Sequence, residues 1–117
     1  MTTREITFNT TVSEPWFTLI KKKKKTIEGR LNKGTFNQLK TGDIVKFMNG
    51  NDSFNVKIRK IKHYKTFEEY LTMEGIRRTL PMSTIRSIKE GCDIYYQYYT
   101  REQEQQYGII AIYIKKI

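Results

Sequence analysis

The 117-residue chain carries 22 lysines and arginines against 12 acidic side chains, a net charge of +10, and is 38% hydrophobic and 13% aromatic. That length sets one domain, residues 1–117, with a modest core and no room for a second catalytic unit; the aromatic content argues against disorder, and the charge points to a polyanionic partner. The lone Cys92 excludes an internal disulfide and a zinc cluster, the lone His63 excludes a histidine-rich metal site, and no run approaches the roughly 18 apolar residues of a membrane span.

Met1–Phe8 contains Arg4 and Glu5 and lacks the apolar stretch of a signal peptide, so an intracellular, cytoplasmic protein is expected. Glu5–Asn9 reads as a short strand with Ile6 and Phe8 on one face. Ser13 or Glu14 is placed to cap a helix that has Pro15 in its first turn, where a missing N–H costs nothing. Trp16, Leu19 and Ile20 then form its apolar stripe, with Trp16 read as a core anchor. Five lysines, Lys21–Lys25, begin where this helix ends, and cations suit the negative end of a helix dipole.

Thr26–Leu31 is the next strand, Asn32-Lys33-Gly34 a turn, Thr35–Leu39 one helical turn, and Ile44–Met48 a further strand. Asn49-Gly50-Asn51-Asp52 is a hairpin signal, and Ser53–Tyr64 is its return strand. Val56 and Ile58 share a face there while Ile61 has the opposite parity, which predicts a β-bulge near Arg59-Lys60. Thr66 and Glu69 form a capping box for a helix whose apolar side carries Phe67, Tyr70, Leu71 and Glu74. Glu74 either faces something buried or a cleft, or is solvated where the helix frays before Gly75. Ser83 is placed to cap a helix through Ile88 that Gly91 interrupts, with another helix over Asp93–Tyr99. Thr100 and Gln103 make a second capping box, and Ile109–Lys116 alternates as a half-buried strand. This order suits an α+β fold, a small curled sheet with flanking helices.

The chemistry concentrates in Lys21–Arg30. In a strand over Thr26–Leu31, Glu28 and Arg30 point to one face and Ile27, Gly29 and Leu31 to the other. Glu28 then orients Arg30 or Lys25 or acts as an acid or base, and Arg30 has the forked geometry for phosphate or carboxylate. Lys25 differs in parity from Glu28, so it reaches the same cleft only from outside the strand; close lysine neighbours would lower its pKa. Lys22, Lys23, Lys24, Lys57 and Arg59 are further candidates for contact with an anionic ligand. A solvated basic helix end with a simple Glu28–Arg30 ion pair, and a nuclear-localisation signal, are the competing readings of the lysine run. No phosphate-cradling glycine loop, metal cluster or cofactor motif is present, and the oligomeric state is not encoded legibly.

Pro15-Trp16-Phe17, Lys25-Thr26-Ile27-Glu28-Gly29-Arg30, Leu39-Lys40-Thr41-Gly42-Asp43-Ile44-Val45, Thr66-Phe67-Glu68-Glu69, Leu80-Pro81 and Tyr107-Gly108-Ile109-Ile110-Ala111-Ile112, in this order and spacing, resemble the ASCH family of the PUA-like superfamily over roughly residues 5 to 116. The resemblance implies a PUA-like curled sheet or β-barrel. It departs at Lys23, where the family usually has a glycine suited to a left-handed turn, which lysine adopts only at some cost. Some ASCH-type proteins hydrolyse the N4-acetyl group of acetylated cytidines with a Lys-x-x-Thr pattern and a later glutamate. Lys25 matches the lysine and Glu74 loosely the glutamate, but Glu28 replaces the threonine. Other members are linked to RNA cleavage or nucleic-acid binding.

Two readings follow. One is a module that binds RNA or a nucleotide in a cleft lined by Lys25, Glu28 and Arg30. The alternative is a hydrolase of modified cytidine, or a ribonuclease, with Lys25, Glu28 and Glu74 as its catalytic residues. A role with a protein partner is the remaining class.

Overall fold

A computed structural model of the protein describes residues 6–117. The alternating stretches form β1 (Ile6–Thr11), β2 (Ile27–Leu31), β3 (Ile44–Asn49), β4 (Asp52–Tyr64) and β5 (Ile109–Lys116), all in one sheet of order β1-β3-β4-β5-β2. Glu5, expected to open the first strand, lies outside the described residues. β1 runs parallel to β3, and every other neighbouring pair is antiparallel. The long β4 pairs with β3 through its first half and with β5 through its second, which curls the sheet. Its register slips between Ile58 and Lys60, so the expected bulge is there and the alternation reverses across it. β1 and β2 remain as the two edges of a curled half-barrel in an α+β fold.

Among the described residues five helices flank the sheet: α1 (Trp16–Lys21), α2 (Phe67–Glu74), α3 (Ile76–Thr79), α4 (Ile88–Tyr95) and α5 (Arg101–Tyr107); a 3-10 turn covers Gly34–Gln38. Both expected capping boxes supply caps. Thr66 Oγ1 accepts from the Glu69 N–H at 3.0 Å, and Thr100 and Gln103 satisfy each other's backbone N–H. Other expectations need correction. Pro15 itself stands at the N-cap position of α1, so of the two expected capping side chains it is Glu14, from one residue earlier, that accepts from the first-turn Thr18 N–H at 2.9 Å, and Ser13 makes no such bond. Ser83 caps nothing; α4 starts at Ser87, whose hydroxyl accepts from the Glu90 N–H at 3.1 Å. Gly91 sits inside α4 rather than ending it, because a Cβ there would stand 2.8 Å from Leu71 Cδ1 and the helix packs that closely on α2. The expected Asp93–Tyr99 helix is therefore only the end of α4 and the turn that follows it.

The end of α1 shows how the chain reaches β2. The Lys23 N–H donates to Ile20 C=O at 2.9 Å and the Lys24 N–H to Leu19 C=O at 2.9 Å, the paired bonds of a Schellman motif. Lys23 occupies the left-handed position with φ +63°, where glycine is usual. The lysine therefore adopts the turn, at a strain of order 1 kcal/mol or more.

Register divides the sheet into two faces. Val45, Val56, Ile58 and Ile114 share one, with Ile112 and its partner Glu28 continuing it. Ile109, Ala111, Ile27 and Gly29 share the other. Tyr70 and Leu71 of α2 are wholly buried, and a Cβ on Gly29 would lie 2.6 Å from the Tyr70 ring and hydroxyl. Gly29 is thus required by close helix–strand packing. Gly29→Ala is expected to destabilise the fold by about 1–3 kcal/mol through overpacking, read as a lowered urea midpoint with an unchanged slope. An unchanged midpoint would mean that Tyr70 is free to move aside.

Candidate functional site: a cavity at the open edge of the sheet

β2 is an edge strand, so only one side of its backbone is satisfied by β5. The Thr26 C=O accepts from the Ile114 N–H at 3.0 Å, and the Asn32 N–H donates to the Gly108 C=O at 3.0 Å. In this register the even-numbered residues of β2 bond to β5 and the odd-numbered ones turn away. The Ile27 C=O is taken by the Lys25 ammonium at 2.8 Å. Gly29 directs both its N–H and its C=O toward the free edge.

A cavity of about 240 Å³ lies along that edge, lined by Gly29, Lys25, Glu28 and Arg30 on one side. Opposite stand Trp16 of α1, Leu80, Ile94, and Tyr95, Tyr98 and Tyr99 at the end of α4, with Thr11 and Val12 of the β1 edge closing the gap. The cavity therefore occupies the seam that the half-barrel leaves open. Arg30 spans the seam: its Nη2 donates to the Thr11 C=O at 3.1 Å, and its guanidinium lies 5.0 Å from the Phe36 ring centre.

The floor is a chain of charges. Glu28 Oε2 accepts from Arg30 Nε at 2.9 Å, and Glu28 Oε1 is 3.5 Å from Lys25 Nζ. Lys25 is 2% exposed, and its ammonium also donates to the Thr79 C=O. The ring of Trp16 lies 5.7 Å from Nζ. Lys25 precedes the first residue of β2, which lets it reach the Glu28 face despite its parity. Burial is what pushes its pKa down, to about 8, with Glu28 resisting and Arg30 assisting. The neighbouring lysines, expected to cause such a shift, are exposed and have no part in it. On the aromatic side, the Tyr98 hydroxyl lies 3.3 Å from Trp16 Nε1, and the Tyr95 and Tyr70 hydroxyls are 3.1 Å apart. Burial raises the Tyr95 pKa, so this hydroxyl stays neutral.

Lys25, Glu28 and Arg30 thus meet at one cavity, and other candidates lie elsewhere. Lys22, Lys24 and Lys57 are exposed and line no cavity described here. Lys23 and Arg59 line a separate basic groove that shares only Lys25 with the cavity. Glu74 is buried on the other face of the sheet, accepting from the Tyr64 and Tyr113 hydroxyls. Tyr64 pairs with Ile109 and Tyr113 with Ile27, the face opposite to Glu28. Gly29 and the three tyrosines carry no sequence signal that joins them to the charged floor; only the parity of Gly29 and the density of tyrosine at 95–99 were visible. Among the described residues no cluster of His, Cys, Asp or Glu could hold a metal ion, and no helix is long and apolar enough to cross a membrane.

The ASCH domain family model matches residues 11–117, which include every residue of the cavity. The chain belongs to the ASCH domain family. Two solved structures are similar to it over nearly their whole lengths. The crystal structure of the hypothetical protein PH0355 is 41% identical, with a TM-score of 0.86, over 94% of this chain and 98% of that one. The solution structure of protein PF0455 from Pyrococcus furiosus is 36% identical, with a TM-score of 0.77, over 94% and 96%. Among curated proteins nothing matches the chain. In this ASCH domain Glu28 is the ion-pair partner of two cations, Lys25 and Arg30.

The Lys25 environment generates a titration. Its folded pKa of about 8 lies below the 10.5 of an ordinary lysine. Between those two values the unfolded chain holds the extra proton, so the Lys25 contribution to stability rises with pH across that window and is flat below it. Lysine side-chain NMR should find one resonance titrating near pH 8, and Glu28→Gln should move it lower still, since the Glu28 charge holds it up. A Lys25 resonance that titrates with the exposed lysines would overturn this account.

Proposed function

We propose that this ASCH domain is an RNA- or nucleotide-binding module that takes one base of its ligand into the cavity at the edge of β2. The observation that carries the reading is Gly29, an edge residue that the register turns away from β5 and that lines the cavity together with Glu28, Arg30 and the aromatic side chains of Trp16, Tyr95, Tyr98 and Tyr99. A base that is taken out of its stack is held in that way, by stacking on aromatic side chains and by hydrogen bonds along its edge. Glu28 offers an acceptor already oriented by two cations, and Arg30 keeps N–H groups beyond the two that bond Glu28 and Thr11. The net charge of +10 favours an anionic ligand over a neutral heterocycle.

A second reading, hydrolysis of an acylated base, is favoured by Lys25, a buried amine with a lowered pKa beside a carboxylate. It ranks second because the ammonium faces three acceptors, the Ile27 and Thr79 carbonyls and Glu28, which makes Lys25 a positioning residue for Glu28.

Calorimetric titration with uridine, cytidine and their 5′-monophosphates tests the first reading. Binding is expected, with Glu28→Gln weakening it about tenfold, or about 1.4 kcal/mol, and Lys22→Ala leaving it unchanged. Absence of binding for all four ligands, or equal losses in both variants, would overturn it. Release of acetate from N4-acetylcytidine by the wild type, abolished in Lys25→Met, would instead favour the hydrolase.

A further inference from the structure

We propose that a second site, a basic groove on the far side of Lys25, holds the phosphate backbone of a nucleic-acid strand. The groove encloses about 580 Å³. Its rim carries Lys23, Arg59, Lys60, Arg78, Lys115 and Lys116, and no Asp or Glu lines it. None of the six forms an ion pair with any described residue. Ile27 and Ile114 lie at its base and are buried.

These cations come from four separate parts of the chain, and two local devices bring them together. Arg59 is the extra residue of the β4 bulge, between Ile58 paired with Ile114 and Lys60 paired with Tyr113. In a regular strand Arg59 and Lys60 would point to opposite faces; with the bulge between them, both line the groove. Lys23 reaches the rim from the left-handed turn after α1. Gathering six unpaired like charges on one concave surface raises the energy of the free protein through mutual repulsion. A chain of phosphates removes that repulsion and releases its own counterions. An apolar base with a cationic rim suits alternating sugars and phosphates better than it suits a compact anion.

The assignment of the ligand as nucleic acid rests on the reading of the cavity, but the two sites fail separately. The test is fluorescence anisotropy with a labelled uridine oligonucleotide at a series of salt concentrations, on folded variants verified by circular dichroism. For single strands the logarithmic salt slope changes by about 0.7 per phosphate contact, so Arg59→Ala with Lys60→Ala should flatten it by about 1.4. Arg78→Ala, on a different element, should flatten it by about 0.7. Lys22→Ala with Lys24→Ala, exposed lysines outside the groove, should leave it unchanged. Uridine nucleoside, which has no phosphate, should bind the Arg59/Lys60 variant as it binds the wild type. An unchanged slope in the groove variants, or the same flattening in the Lys22/Lys24 variant, would overturn the groove. Inorganic tripolyphosphate competing as tightly as the oligonucleotide would also overturn it, since the site would then take a free polyphosphate. If the wild type fails to bind uridine, cytidine and both 5′-monophosphates but the slopes change as stated, the cavity reading falls and the groove stands.

Discussion

A buried ammonium organises this molecule. Lys25 Nζ meets the Ile27 C=O, the Thr79 C=O and the Glu28 carboxylate, which come from the start of β2, the end of α3 and the middle of β2. An ion removed from water costs several kcal/mol unless its partners replace the lost hydration. Those partners must be in place together, so the short helix α3, the entry to β2 and the reversed turn at Lys23 are fixed relative to one another. The Trp16 ring then lies over Lys25, and both line the cavity beside it together with Leu80. The ionic floor of the candidate site is a consequence of this one buried charge.

Much of the frame was legible because it rests on local rules. The parity of Ile27, Glu28, Gly29 and Arg30 fixed which side chains of β2 share a face. The hairpin at Asn49–Asp52, the parity change across Arg59 and the caps at Thr66 and Thr100 all act within a few residues of sequence. Family resemblance added the closure of the strands into a curled sheet. What escaped reading depends on distant partners. Gly91 looks like a helix breaker until Leu71 and Ile76 are seen to press against it. Ser83 and Ser87 are equivalent as caps in sequence, and tertiary packing chooses between them. The parallel pairing of β1 with β3 leaves no local mark at all.

The same division holds for the site. Lys25, Glu28 and Arg30 are close in sequence, so their convergence was accessible from spacing. The tyrosines that face them stand some seventy residues away and reach the cavity only through the packing of α4 on α2, where Phe67 stacks on Tyr95 at 4.6 Å. Glu74 illustrates the opposite case. Its place on the apolar side of α2 was readable, but its partners Tyr64 and Tyr113 set it on the other face of the sheet from Glu28.

An unpaired strand edge invites another chain to add itself, and folded proteins defend such edges with charges turned inward or with covering elements. β2 has both defences. The Lys25 ammonium occupies the Ile27 carbonyl that an intruding strand would need, and the Arg30 side chain ties the opposite edge across the opening. The residues that line the cavity therefore also guard the open edge of the sheet against the addition of an extended polypeptide.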